Sequence, residues 1–148
     1  MSKFGSSLRT LGAALSFVAF AGCTSMPQQT AQVKATYHLT NGLDEAQRAI
    51  RNVRNHLNAD PNAKIVVVGN GKGIDFMLEG AKDSNGSPFD ASIQDLTSKG
   101  VEFRLCNNTI VSRKIDRSRV VPYVKIVPSG VAEVAMLQTK EGFAYVRP

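Results

Sequence analysis

The sequence predicts a single α/β domain built on a mainly parallel five-stranded sheet, and three observations carry that prediction. Strand-like and helix-like patterns alternate from about residue 33 to the end, and parallel strands need the long, right-handed crossovers that helices supply. The run Lys64-Ile65-Val66-Val67-Val68 is almost continuously apolar, as befits a strand covered on both faces. Glycine-bearing turns, Gly69-Asn70-Gly71 and Pro128-Ser129-Gly130, follow strand patterns and precede helical ones, the order of a strand-to-helix connection.

Taken in order, residues 33–39 read as the first strand. Leu43, Ala46, Ile50, Val53 and Leu57 then recur at helical spacing. Asn41 is the expected cap of that helix, Asp44 and Glu45 suit its positive end, and Asn58-Ala59-Asp60-Pro61 stops it. His56, late on a polar face, is expected in solvent. The second strand spans 64–68. The glycines at 69, 71 and 73 make a tight turn into a short helix over 74–78. They lack the Ser or Thr after lysine and the full spacing of a phosphate-binding loop, and Ile74 replaces the third glycine of a dinucleotide fingerprint. An exposed loop over 80–88 leads to a helix over 89–98. In the third strand Val101, Phe103 and Leu105 alternate with Glu102 and Arg104, so one face of an inner strand carries charge and predicts a subunit contact or a shallow cleft there. Cys106 opens a short helix through 111. Residues 113–121 are irregular, 125–127 form a strand, a helix starts at Ser129 and runs through 140, Gly142 ends it, and 143–146 form the last strand.

The N-terminal residues are set apart by a different logic. Lys3 and Arg9 border an apolar run over 11–20 that is too short to span a bilayer, the pattern of an export signal. Its end, Ala21-Gly22-Cys23, resembles the lipobox of bacterial lipoproteins, which implies a signal peptide over 1–22 and a lipid on Cys23; ordinary cleavage nearby is the alternative. The absence of aspartate after the cysteine, where Thr24 stands, resembles sorting to the periplasmic face of the outer membrane. Residues 23–32 are small and polar, a flexible tether, and 33–148 make one domain of ordinary size.

The chain has 18 Lys and Arg against 12 acids; without Lys3 and Arg9 the net charge is +4. That mild excess, with no interleaved aromatic residues, points away from nucleic acid and toward anionic lipid or an acidic protein surface. Arg48, Arg51 and Arg54 at helical spacing, and four cations between Arg113 and Arg119, read as solvated faces. No His, Cys, Asp or Glu spacing suggests a metal site, and no cofactor is expected.

Chemistry concentrates at Cys106. A thiol between a strand end and a helix start lies near backbone N–H groups that lack partners, and these favour the thiolate. The competing reading is an inert buried cysteine. With Cys23 the lipid carrier, Cys106 has no disulfide partner, and a dithiol oxidoreductase lacks its second thiol. In a parallel sheet ligands bind beyond the carboxyl ends of the strands, where His38, Asn70, Cys106-Asn107-Asn108 and Ser129-Gly130 should gather. His38 is a candidate helper base or a satisfied core histidine.

Tyr37-His38-Leu39-Thr40-Asn41-Gly42, the strand over 64–68, Gly71-Lys72-Gly73-Ile74-Asp75-Phe76, the stretch from Val101 to Thr109 and Ile126-Val127-Pro128-Ser129-Gly130-Val131-Ala132-Glu133 together resemble the DsrE/DsrF-like family. The resemblance implies a three-layer α/β/α sandwich, assembly into trimers or hexamers, and, in sulfur-relay members, a persulfide on the cysteine that Cys106 matches. Two functions follow as expectations. The first is a sulfur carrier, sulfurtransferase-like, that passes sulfur between a donor and an acceptor thiol through Cys106. The second is a lipid-anchored binding module without turnover, holding a small anion at Asn107, Asn108, Ser129 and Gly130.

Overall fold

A computed structural model describes residues 31–148. The expected signal peptide, Cys23 and nearly all of the expected tether lie outside the described residues. Strands β1 (Lys34–Leu39), β2 (Lys64–Gly69), β3 (Glu102–Cys106), β4 (Val124–Val127) and β5 (Ala144–Val146) form one sheet in the order β4-β3-β2-β1-β5, every pair parallel. Helices α1 (Leu43–Ala59), α2 (Phe89–Ser98), α3 (Asn107–Ser112) and α4 (Gly130–Glu141) connect them, with 3₁₀ segments at Gly71–Met77 and Arg117–Arg119.

The strand order dictates the layers. From β1 to β4 the chain steps in one direction, so right-handed crossovers put α1 and α2 on one face; between β4 and β5 it reverses, and α4 goes to the other. The first face carries the main core, in which Tyr37, Ile65, Val67, Phe103 and Leu105 of the strands meet Ala46, Val53, Ile93, Phe76 and Ile110. On the second face only Val66, Val68, Val134, Leu137 and Phe143 form an apolar cluster. The strands' alternation explains the difference: Thr36, His38, Glu102, Arg104 and Lys125 share that second face. Arg104, largely buried, is paired there with Glu133 of α4 and with Glu102 at 2.8 Å. Helix α4 thus covers the Arg104 end of the charged face of β3, while Glu102 stays partly exposed beside Lys125, 3.2 Å away.

Three local expectations need correction. Asn41 does not cap α1 with its side chain. Glu45, only 2% exposed, turns back instead, and its Oε2 accepts the N–H groups of Thr40 and Asn41 at 2.6 Å each. A carboxylate one turn into the helix reaches two donors at once, whereas a short amide reaches one. His56 is half-buried rather than fully solvated, 3.1 Å from the Tyr37 hydroxyl through Nδ1. Burial raises the Tyr37 pKa, so the phenol keeps its proton, and the His56 tautomer sets which partner donates in that bond. The segment after β2 is 3₁₀ rather than α-helical because it crosses β1 too closely to widen. A Cβ on Gly73 would lie 2.1 Å from the Leu39 carbonyl oxygen.

Candidate functional site

The two connections that leave β3 and β4 go to opposite faces of the sheet, since Ile110 of α3 joins the main core and α4 covers the other side. Such a divergence between neighbouring parallel strands opens a crevice at their carboxyl ends. Cys106 stands at that point. It is the last residue of β3, is in register with Val127 of β4, and stands at the N-cap position of α3.

The residue is 5% exposed, and backbone N–H groups and a hydroxyl lie close to its sulfur. Burial pushes the thiol's pKa up, but the Gly130 N–H, the Thr109 hydroxyl and the Thr109 and Asn108 N–H groups together push it down by more. Cys106 therefore titrates below its ordinary value. These donors come from both diverging connections: Asn108 and Thr109 begin α3, and Gly130 begins α4. A side chain at Gly130 would crowd this site. A Cβ there would lie 3.2 Å from both the Cys106 and Asn70 Cβ atoms and 3.3 Å from the Gly69 carbonyl oxygen.

Thr109 is the residue that sequence reasoning missed. It is 7% exposed, its Oγ1 accepts the Gly71 N–H at 3.0 Å, and its hydroxyl helps to hold the Cys106 thiol below its ordinary pKa. The glycine turn after β2 is thus tied to the thiol through one hydroxyl. The signal was present in the sequence as a threonine three residues after the cysteine, one helical turn away.

The other expected residues divide. Asn108 supplies a backbone N–H to the sulfur and leaves its side chain exposed. Asn107 accepts from Arg117 through Oδ1. Ser129 caps α4, its hydroxyl oxygen accepting the Ala132 N–H at 3.4 Å. His38 makes no hydrogen bond to Cys106. Its Nε2 is 3.0 Å from Asn70 Oδ1, which can only accept, so Nε2 donates and Nδ1 accepts from the Tyr145 hydroxyl at 3.3 Å. Asn70 lies between His38 and the Gly130 backbone that faces Cys106. Among the described residues no group of three or more His, Cys, Asp or Glu side chains is placed to hold a metal ion, and no helix is long and apolar enough to cross a membrane.

A family model for the DsrE/DsrF-like family matches residues 19–148. Among solved structures, a protein of unknown function from Methanobacterium thermoautotrophicum, MTH1491, is 28% identical with a TM-score of 0.70, covering 79% of this chain and 100% of its own. The ychN protein from E. coli is 15% identical with a TM-score of 0.66, covering 79% and 99%. BT1422 from Bacteroides thetaiotaomicron, a conserved protein of unknown function, is 14% identical with a TM-score of 0.58, covering 78% and 94%. The last two share the fold. No curated protein matches. The chain belongs to the DsrE/DsrF-like family, which makes it, at family level, a sulfur-relay-related protein.

Proposed function

We propose that this member of the DsrE/DsrF-like family is a sulfur carrier in which Cys106 holds sulfane sulfur as a persulfide. The observation that carries the reading is the donor set on the sulfur: three backbone N–H groups and one hydroxyl favour the thiolate, the form that attacks. In loading, the Cys106 thiolate attacks the outer sulfur of a donor persulfide; the donor's S–S bond breaks, and its inner sulfur leaves as a thiolate with the electron pair. In delivery, an acceptor thiolate attacks the outer sulfur on Cys106, and Cys106 leaves as the thiolate again. The cycle needs one cysteine and consumes no oxidant.

The alternative, an anion held at this crevice, needs the same donors. Those of Asn108 and Gly130 already face the Cys106 sulfur, which favours the carrier. The two readings separate by mass spectrometry of protein isolated without reductant. The carrier predicts one added sulfur on Cys106, lost in Cys106→Ser; unmodified Cys106 after exposure to a persulfide donor rules the carrier out.

The proposal extends to location and assembly. The lipobox-like end of the N-terminal segment supports a periplasmic protein held at the outer membrane by a lipid on Cys23. Cys23→Ser should abolish lipid labelling and release the protein from the membrane fraction. Exposed Val131 and Tyr145, on and beside the α4 face, support a homo-oligomer, a trimer or hexamer in keeping with the family. Light scattering at micromolar concentration should give a mass above one chain, and a clean monomer refutes this part.

A further inference from the structure

The three arginines at helical spacing on α1 do not share one environment. All three are exposed, but Arg51 and Arg54, unlike Arg48, line an open hollow of about 360 Å³ between α1, the start of α2 and the loop before it. The size falls within the range of small-molecule sites, about 300–1,000 Å³. Its floor is apolar, from Ile50, Pro88 and Phe89. Its walls are polar, with Gln47, Asn55, Asn58, Ser87 and Ser92.

The charges in this hollow are unequally satisfied. Asp83 is the single acid in the lining, and its Oδ1 accepts the Asn85 and Ser87 N–H groups at 2.9 and 2.8 Å, so it serves its own loop. Arg54 donates to Ser92 Oγ at 3.2 Å and lies 3.7 Å from Asp95, which Lys99 approaches more closely at 2.9 Å. Arg51 has no ion-pair or hydrogen-bond partner among the described residues. Two guanidinium groups one helical turn apart, over an apolar floor and among side-chain amides and hydroxyls, match an anionic head on a compact polar body.

We infer that this hollow is a binding site for a small organic anion, with the carboxylate or phosphate held between Arg51 and Arg54 and the body against Asn55, Asn58 and Ser87. The site shares no lining residue with the Cys106 crevice and does not depend on the sulfur chemistry. The test is NMR titration of the full chain with glycerol 3-phosphate, succinate and glycerol, following the backbone amides of α1 and of residues 83–92. Saturable shifts with the anions and none with glycerol are expected, and the tighter of the two anions identifies the head group. The double variant Arg51→Gln/Arg54→Gln should bind about tenfold more weakly or worse, while Arg48→Gln, which removes a charge outside the hollow, should bind as the parent does. The inference is overturned by an absence of saturable shifts with either anion, by equal shifts with glycerol, or by equal losses in Arg48→Gln and the double variant.

Discussion

Replacing Thr109 with valine removes one hydroxyl from the Cys106 site and leaves the shape almost unchanged. That hydroxyl takes the Gly71 N–H at 3.0 Å and helps to hold the Cys106 pKa down, so the substitution removes one hydrogen bond and one support of the thiolate. The first loss is cheap: Gly71 is exposed, water can replace the hydroxyl, and stability should fall by about 0.5–1.5 kcal/mol. The second falls on a charged acceptor inside a site that is 5% exposed, where no water replaces it easily. A hydrogen bond to a charged group contributes about 1.5–3 kcal/mol. The three remaining donors tighten on the sulfur and recover part of that, so the thiolate fraction at neutral pH should drop on the order of tenfold. The assay is the rate of alkylation of native protein against pH. Thr109→Val should shift the profile to higher pH, and Thr109→Ser, which keeps the hydroxyl, should leave it near the parent's. Identical profiles for the parent and Thr109→Val would mean that the hydroxyl does not support the thiolate, and the assignment of Thr109 to the site would fall.

The same thiol makes stability depend on pH. A native cysteine held below its ordinary value releases its proton before the unfolded chain does. Between the native value and 9.0 the unfolded chain therefore binds more protons, stability rises with pH, and the contribution is lost as pH falls through the native value; denaturant unfolding should show that rise, and Cys106→Ser should abolish it. Glu45→Ala should cost about 2 kcal/mol, because two N–H donors lose a buried carboxylate, against less than about 1 kcal/mol for Asn41→Ala. Gly73→Ala should cost about 3 kcal/mol or more, its new Cβ meeting the Leu39 carbonyl oxygen, and a loss below about 1 kcal/mol would refute the close crossing. Arg104→Ala should cost about 3 kcal/mol by leaving Glu133 without its cation and Glu102 with Lys125 alone, and a loss below about 1 kcal/mol in denaturant unfolding would refute the pairing.

The fold was legible where one period dominated. The five strands and the helices at 43, 89 and 130 follow directly from alternation and from apolar residues at helical spacing, because burial on one or both faces is what those periods encode. What stayed hidden depended on contacts between distant segments. Glu45 looked like a residue suited to a helix dipole, and only the path of Thr40 and Asn41 over it reveals a buried carboxylate accepting two N–H groups. The charge on β3 suggested an open face; pairing of Arg104 with Glu133, twenty-nine residues away in sequence, covers one end of it, and Glu102 and Lys125 leave the other end partly open. At the site, Cys106 and Gly130 were visible as strand-end residues. Thr109 was not, because its task requires the glycine turn of another strand to reach it.

The geometry of Cys106 also bears on how a buried sulfur exchanges with anything at all. The donors that favour the thiolate lie about the inner sulfur of a residue that is 5% exposed and offers little surface to a large partner. A persulfide lengthens the side chain by one S–S bond, about 2.05 Å, so that the atom to be handed on is no longer the atom that the backbone holds. In the proposed cycle the inner sulfur is the leaving group in delivery, and the same N–H groups that favour the free thiolate also stabilise the charge that develops on it as the S–S bond breaks. One donor set thus serves loading and delivery alike. An anion bound at these N–H groups would compete with both steps, which is why the carrier and the anion module cannot share this crevice, and why the arginine-lined hollow between α1 and α2 is the place where this chain can hold an anion without silencing its thiol.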